Sequence, residues 1–192
     1  MGTKTAKANR KPRADSIRNR ELLLEAATQV FSAGGPQASL EAVARQAGVG
    51  IGTLYRHFPT RESLFEAVYR HEVDQLGELA ERLSHDAEPV QALRKWLHAN
   101  VRLVATKKGM VEGLQIVAHG STELKAYSFE RLTGAIGLLL DRGVAVGEFR
   151  SDITPEDLLR TLVGIFYSQG TSDWQPTAQR LVDVFVDGLR KR

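Results

Sequence analysis

The chain has 192 residues, of which 42% are hydrophobic, a net charge of +3 and no cysteine. This length suits one domain or a small domain joined to a larger one, and the lack of cysteine excludes disulfides, thiolate nucleophiles and cysteine-ligated metals. No apolar run approaches the roughly 18 residues that a membrane span needs, and the basic N-terminus lacks the apolar segment of a signal peptide, so we expect a soluble, cytoplasmic protein.

The net charge is unevenly distributed along the chain. Residues 1–20 carry seven basic side chains against one acidic side chain, a local charge of +6, which leaves −3 for the remainder. A basic end on a slightly acidic body indicates either contact with a polyanion or a charged tail that only aids solubility. Residues 1–15 contain Pro12 and show no periodicity, which predicts a flexible basic arm.

A first helix is predicted over residues 16–33, where Leu23, Ala27, Val30 and Phe31 recur at helical spacing. The Gly-Gly-Pro run at residues 34–36 ends this helix.

The stretch from Ser39 to Arg61 predicts two short helices joined by a tight turn. Ser39 is suited to cap the first of them, and Gly48 can adopt the left-handed conformation that closes it. The second helix is predicted over residues 50–58, with Leu54 and Phe58 facing inward. This layout is typical of a helix-turn-helix, whose second helix enters the DNA major groove; an ordinary helical hairpin in a core is the alternative.

The remainder of the chain predicts helices throughout, with no strand pattern. We expect helices over about 61–83, 90–104, 110–119, 122–144, 155–166 and 176–190, with a break at residues 107–109. Thr154 and Pro155 mark the start of one of them as cap and first helical residue. The last two helices are apolar on more than one face, which indicates either a central position in a monomer or a four-helix dimer interface. The candidates for that interface are Leu158, Leu162, Phe166, Leu181, Phe185 and Leu189.

Two segments resemble the TetR family of bacterial transcriptional regulators. They are LLLEAATQVF at residues 22–31 and AVARQAGVGIGTLYRHFPTRESLFEAV at residues 42–68. The resemblance covers about residues 17–70. It implies an all-α homodimer in which a three-helix N-terminal helix-turn-helix domain is followed by a larger helical bundle that forms the dimer. The resulting domains are the arm (1–15), the DNA-binding domain (16–60) and an effector-binding and dimerisation domain (61–192).

The outward side chains of the helix-turn-helix suggest roles at DNA. Thr53, Tyr55 and His57 suit phosphate contacts, Thr53 also a base edge, although Tyr55 and His57 could instead pack against the first helix. Arg56 can reach guanine O6 and N7 or a phosphate, and Ile51 can contact only a thymine methyl. The full predicted DNA-binding set is Ser39, Gly50, Ile51, Gly52, Thr53, Tyr55, Arg56, His57 and Arg61.

Motifs that would indicate an enzyme do not occur in the sequence. It contains no glycine-rich phosphate loop, nucleophile elbow or zinc motif, and its five histidines lack metal-ligand spacing. We therefore expect no catalytic activity, no metal and no cofactor.

The resemblance also implies a cavity in the C-terminal domain for a small-molecule effector. Candidates for its lining are aromatic or polar residues on otherwise apolar helices, although residues of this kind more often belong to the core. They are Trp96, Asn100, Met110, Gln115, His119, Tyr127, Phe166, Gln169 and Trp174. With few charges among them, a neutral or aromatic compound is expected.

The sequence thus predicts a DNA-binding transcriptional regulator, a repressor released from a near-palindromic operator by an effector. Two alternatives are an activator or ligand-blind regulator of the same family, and a helical small-molecule-binding or interaction protein without specific DNA binding.

Overall fold

The computed structural model describes residues 10–34, 38–86, 88–111, 122–167 and 174–191. Within these ranges the chain forms helices and no strand, apart from an isolated bridge between Phe149 and Arg190. The prediction of an all-α fold is confirmed. The helices are α1 (Arg10–Gly34), α2 (Leu40–Gln46), α3 (Ile51–His57), α4 (Arg61–Asp86), α5 (Pro89–Val111), α6 (Thr122–Ala145), α7 (Pro155–Tyr167) and α8 (Trp174–Leu189).

The chain divides into two compact units, of which unit 1 comprises Met1–Tyr69 and Gly109–Val117 and unit 2 comprises Arg70–Lys108 and Ala118–Arg192. Unit 1 holds α1, α2, α3 and the start of α4, where α1 packs on α2 and α2 packs on α3. Its core is formed by apolar side chains from all four helices, and the rings of Phe31 and Phe65 meet at a centroid distance of 4.5 Å. Because α2 and α3 have seven residues each, they depend on this packing for their stability.

Unit 2 buries its own set of apolar side chains, among them Trp96, Leu139 and Val182. In this unit α6 packs on α7 and α7 packs on α8. The turn after α6 inserts the buried ring of Phe149 against Gly143, where a Cβ atom would lie 2.1 Å from the ring. Only a glycine at position 143 leaves room for this ring.

A charged cluster links α5 to α8 inside unit 2. Arg94 donates to Asp183 Oδ1 at 2.7 Å and to Asp187 Oδ1 at 2.5 Å, and His98 Nε2 lies 2.9 Å from Asp183 Oδ1. Burial alone would raise the pKa of Asp183, but hydrogen bonds from Arg94 and His98 outweigh it and lower that pKa. The same bond to Asp183 raises the pKa of Arg94. The charged form of each group is therefore favoured in the folded protein.

The structure corrects two predicted helix boundaries. First, α1 begins at Arg10 rather than residue 16, so part of the predicted arm is helical. Pro12 is compatible with this start because the first-turn N–H groups have no partner within a helix.

Second, residues 107–109 do not end the helix as predicted, because α5 continues through them to Val111. A single glycine costs a helix only about 1 kcal/mol relative to alanine, which the rest of a long helix can offset. The helix predicted over residues 110–119 lies largely outside the described residues.

Candidate nucleic-acid interface

Helix α2 is capped by hydrogen bonds at both of its ends, and the second cap forms the turn into α3. Ser39 Oγ accepts from the Ala42 amide at 3.1 Å and caps α2, as predicted. At the other end of α2, the amides of Gly48 and Val49 donate to the carbonyls of Arg45 and Ala44. This is a Schellman arrangement, which needs a left-handed residue after the helix cap. Gly48, with φ of +69°, is that residue.

The inner face of α3 is anchored in the core of unit 1. Leu54 and Phe58 are 0% and 1% exposed, and Val49 packs against the same cluster. From α1, the guanidinium of Arg20 lies 4.7 Å from the centroid of the Phe58 ring. These contacts set the rotation of α3 about its axis and thus decide which of its residues face outward.

The outward face of α3 combines bare backbone with two exposed large side chains. Gly50 and Gly52 are exposed, and a Cβ atom built on either would meet nothing within 4 Å. Ile51 and Tyr55 are 38% and 45% exposed. Since α3 carries no acidic residue in its first turn and ends with Arg56 and His57, this face can approach a polyanion closely without like-charge repulsion.

Arg56 lies along the outer surface of α3. Its Nη2 donates to Thr53 Oγ1 at 2.9 Å and its Nε donates to the Gly52 carbonyl at 3.3 Å. A guanidinium has five N–H donors, so donors remain for a second partner. The Thr53 bond positions the guanidinium beside the glycine-bearing turn of α3.

Arg61, one of the predicted DNA contacts, also makes contacts within unit 1. Its Nη2 donates to the Ala38 carbonyl at 2.6 Å, and its guanidinium lies 5.2 Å and 5.7 Å from the ring centroids of Phe65 and Phe31. The side chain therefore helps to join α4 to the segment before α2. Among the other predicted DNA contacts, Ser39, Gly50, Ile51, Gly52, Tyr55 and Arg56 are exposed, while Thr53 and His57 are half-buried.

Of the predicted effector residues that the structure describes, all but Met110 lie in unit 2. Trp96 and Asn100 are buried one helical turn apart on α5, and Trp174 is 9% exposed. Trp96 donates to the Leu76 carbonyl at 2.8 Å, and the half-buried Tyr127 donates to Asp74. Only the backbone of Met110 and Phe166 is described, and Gln115, His119 and Gln169 lie outside the described residues.

Three of the predicted dimer residues are not available to a second copy. Leu158, Leu162 and Leu189 are 0%, 0% and 3% exposed within their own chain. Burial within the chain explains why α7 and α8 are so apolar on this side. The side chain of Phe166 is not described, Phe185 is half-buried and Leu181 is exposed.

Two exposed valines on the same helices were not among the predicted residues. Val163 on α7 and Val184 on α8 are 44% and 70% exposed. An apolar residue placed off the buried stripe is the signal that would have found them.

Neither a metal centre nor a membrane segment is evident in the described part of the chain. Its histidine and acidic side chains form no group of three or more that could hold a metal ion. None of its helices is long and apolar enough to cross a membrane.

Comparison with known proteins matches both units to regulators. Residues 23–68 match the family model described as bacterial regulatory proteins of the tetR family. Residues 88–191 match the model of the SbtR-like transcriptional regulator C-terminal domain. The match to two models in this order agrees with a helix-turn-helix followed by a regulatory domain.

Individual relatives extend this similarity. The TetR transcriptional regulator SCO0520 from Streptomyces coelicolor is 41% identical, with a TM-score of 0.79 over 89% of this chain and 98% of that one. The HTH-type transcriptional repressor Rv3405c from Mycobacterium tuberculosis is 32% identical over 95 residues, which are 49% of this chain and 47% of the repressor. The chain thus spans about half the length of the first curated relatives it matches.

A more distant relative shares the fold. It is the TetR-like regulator LfrR from Mycobacterium smegmatis, solved in complex with proflavine. LfrR is 24% identical, with a TM-score of 0.61 over 87% of this chain and 95% of that chain.

Proposed function

Because the chain belongs to the TetR family of bacterial regulatory proteins, we propose that it is a sequence-specific DNA-binding repressor that a small-molecule effector releases from its operator. The activity is binding rather than catalysis, and it takes place in the cytoplasm, where the operator DNA is. The observation that carries the proposal is the outward face of α3, with its bare glycines, exposed Ile51 and Tyr55, and positioned Arg56.

In the proposed complex, α3 lies in the major groove. Gly50 and Gly52 let its first turn approach the DNA. Ile51 contacts a thymine methyl, and Arg56 reads guanine or a neighbouring phosphate. Tyr55, His57 and Ser39 contact phosphates and fix the register. With a single guanidinium on α3 and an apolar residue at its start, operator shape and the basic N-terminal segment contribute much of the specificity.

A second copy of the chain completes the operator-binding form. We place the dimer surface on α7 and α8, where Val163, Leu181 and Val184 are exposed. Leu181 and Val184 are three residues apart and therefore share one face of α8, and exposed apolar patches are typical of association surfaces. Two symmetry-related α3 helices would then read a near-palindromic operator with half-sites about one DNA turn apart.

The dimer surface is tested by replacing Val184 with arginine. Val146, which is 63% exposed outside α7 and α8, provides a matched control. Sedimentation should show a monomer for Val184→Arg and a dimer for Val146→Arg. If the Val184→Arg variant stayed dimeric, the proposed location of the dimer interface on α8 would be refuted.

The effector site is proposed in unit 2. LfrR, which shares this fold, was solved in complex with the small molecule proflavine. Here the aromatic and polar side chains of Trp96, Asn100 and Tyr127 are buried or half-buried in unit 2. We propose that they contribute to the effector site.

Fluorescence anisotropy on DNA flanking the gene tests the proposed function. One fragment should bind at nanomolar strength and survive about 150 mM salt, while scrambled DNA is released. Equal binding to every fragment, lost with salt, would indicate phosphate contacts alone. That result would favour the alternative, a helical binding or interaction protein without specific DNA recognition.

A further inference from the structure

Asn100 holds an unusual position at the centre of α5. Its side chain is 3% exposed. Its amide nitrogen Nδ2 is the one buried side-chain nitrogen or oxygen, among the described residues, that has no hydrogen-bond partner. Buried polar groups in native proteins almost always have a partner. A buried donor without a partner therefore calls for an acceptor that the described part of the chain does not supply.

The surroundings of this amide are apolar. Trp96 and Leu97, the residues one turn before it, are 0% exposed, and Leu103, one turn after it, is 4% exposed. Because apolar surroundings lower the local dielectric constant, a hydrogen bond donated by this amide would be stronger than the same bond in water.

The other buried polar groups of unit 2 indicate whether a ligand bound there would carry a charge. Asn100 and Ser128 are the buried polar residues of the described chain, and neither is charged. The Ser128 hydroxyl donates to the Leu124 carbonyl of its own helix at 2.7 Å. A buried charge needs a paired counter-charge, and the described interior offers none.

From these observations we propose that Asn100 Nδ2 is the donor that recognises the effector, and that the effector is a neutral, largely apolar molecule with a carbonyl or ether oxygen as acceptor. The proposal rests on the regulatory function proposed above and specifies the ligand class of its effector site. The apolar neighbours bind the body of the molecule, and the single donor fixes its orientation.

Matched pairs of ketones and hydrocarbons provide the test. The probes are 9-fluorenone with fluorene and 1-tetralone with tetralin, because each pair shares one ring framework and differs at the carbonyl oxygen. Equilibrium dialysis against the full chain gives a dissociation constant for each probe. The ratio of the two constants within a pair removes the general hydrophobic contribution.

The Asn100→Leu variant removes the donor at similar volume. It should weaken ketone binding about three- to tenfold, the worth of one neutral hydrogen bond, and leave hydrocarbon binding unchanged. The carbonyl stretch of bound fluorenone should lie at lower wavenumber in the wild-type protein than in the variant. Ser128→Ala is the matched control, because its hydroxyl is already bonded, and it should leave the ratio unchanged. If Asn100→Leu does not fold, Asn100→Ala serves in the same comparison.

Several outcomes would overturn the proposal. One is that no ketone binds the wild-type protein; another is that the ketone-to-hydrocarbon ratio is the same with and without Asn100. Operator binding by the same preparations separates this site from the regulatory function. If the wild-type protein shows the Asn100-dependent ratio but binds no operator, the ligand site is supported and the repressor function is refuted. If it binds an operator but shows no such ratio, the repressor function is supported and the ligand site is refuted.

Discussion

Replacing Gly52 with alanine should separate DNA binding from stability. Gly52 is exposed in the first turn of α3, and a Cβ atom there would meet nothing within 4 Å of the folded chain. Alanine is favoured over glycine in a helix by up to about 1 kcal/mol. The free protein should therefore be as stable as the wild type or slightly more stable.

The same methyl group should obstruct DNA. If the first turn of α3 approaches the floor of the major groove, the added Cβ displaces the base-edge contacts beside it. Each such contact is worth about 1–3 kcal/mol. Because a dimer carries two copies of α3, the expected loss is about 2–6 kcal/mol, or at least about thirtyfold in operator affinity.

Thermal unfolding and operator anisotropy, measured on the same samples, test this prediction. Gly134→Ala is the matched control, because Gly134 is an exposed glycine within α6 with nothing within 4 Å of a built Cβ. The control should gain similar stability and keep full operator affinity. If Gly52→Ala bound the operator as tightly as the wild type, the close approach of α3 to the major groove would be refuted. A clear fall in its melting temperature would show that the folded chain has no room for a Cβ atom at position 52.

Three further predictions concern other contacts. Arg56→Ala should weaken operator binding and relax the preference for one base pair by about 1–3 kcal/mol, measured by anisotropy on single-position operator variants; an unchanged base preference would exclude Arg56 as a base reader. Gly143→Ala should displace the ring of Phe149 and destabilise the protein by about 1–3 kcal/mol in urea unfolding, and a stability equal to the wild type would contradict that close contact. Asp183→Asn should lower the melting temperature through its contact with Arg94. Because the folded pKa of Asp183 is lowered, the wild-type advantage should be present above about pH 4 and vanish as the pH falls through that pKa; an advantage that persists in acid would assign the effect to packing.

Much of the helix-turn-helix could be predicted because its determinants are local. The Ser39 cap, the left-handed Gly48 and the inward pair Leu54 and Phe58 each depend on residues within one or two turns. Local backbone preferences and helical spacing are encoded in consecutive residues. The exposed face of α3 follows from them directly.

Contacts between residues distant in the sequence could not be predicted. Arg61 is among the predicted DNA contacts, but the sequence does not indicate that Ala38, Phe31 and Phe65 lie beside its guanidinium. Their positions relative to Arg61 are set by the packing of α1, α2 and α4. No spacing rule within the sequence could indicate that arrangement.

By itself, then, the sequence determined an all-α chain with a helix-turn-helix and the residues that α3 exposes, because helix caps, turns and periodicity are local properties. Only the tertiary structure decided which apolar residues of α7 and α8 are core and which are surface, since Leu158 and Val163 are equally apolar in the sequence but 0% and 44% exposed in the fold. It likewise decided that Asn100 is buried without a partner. Burial and hydrogen-bond satisfaction depend on what other helices place around a side chain, which is a property of the packed chain.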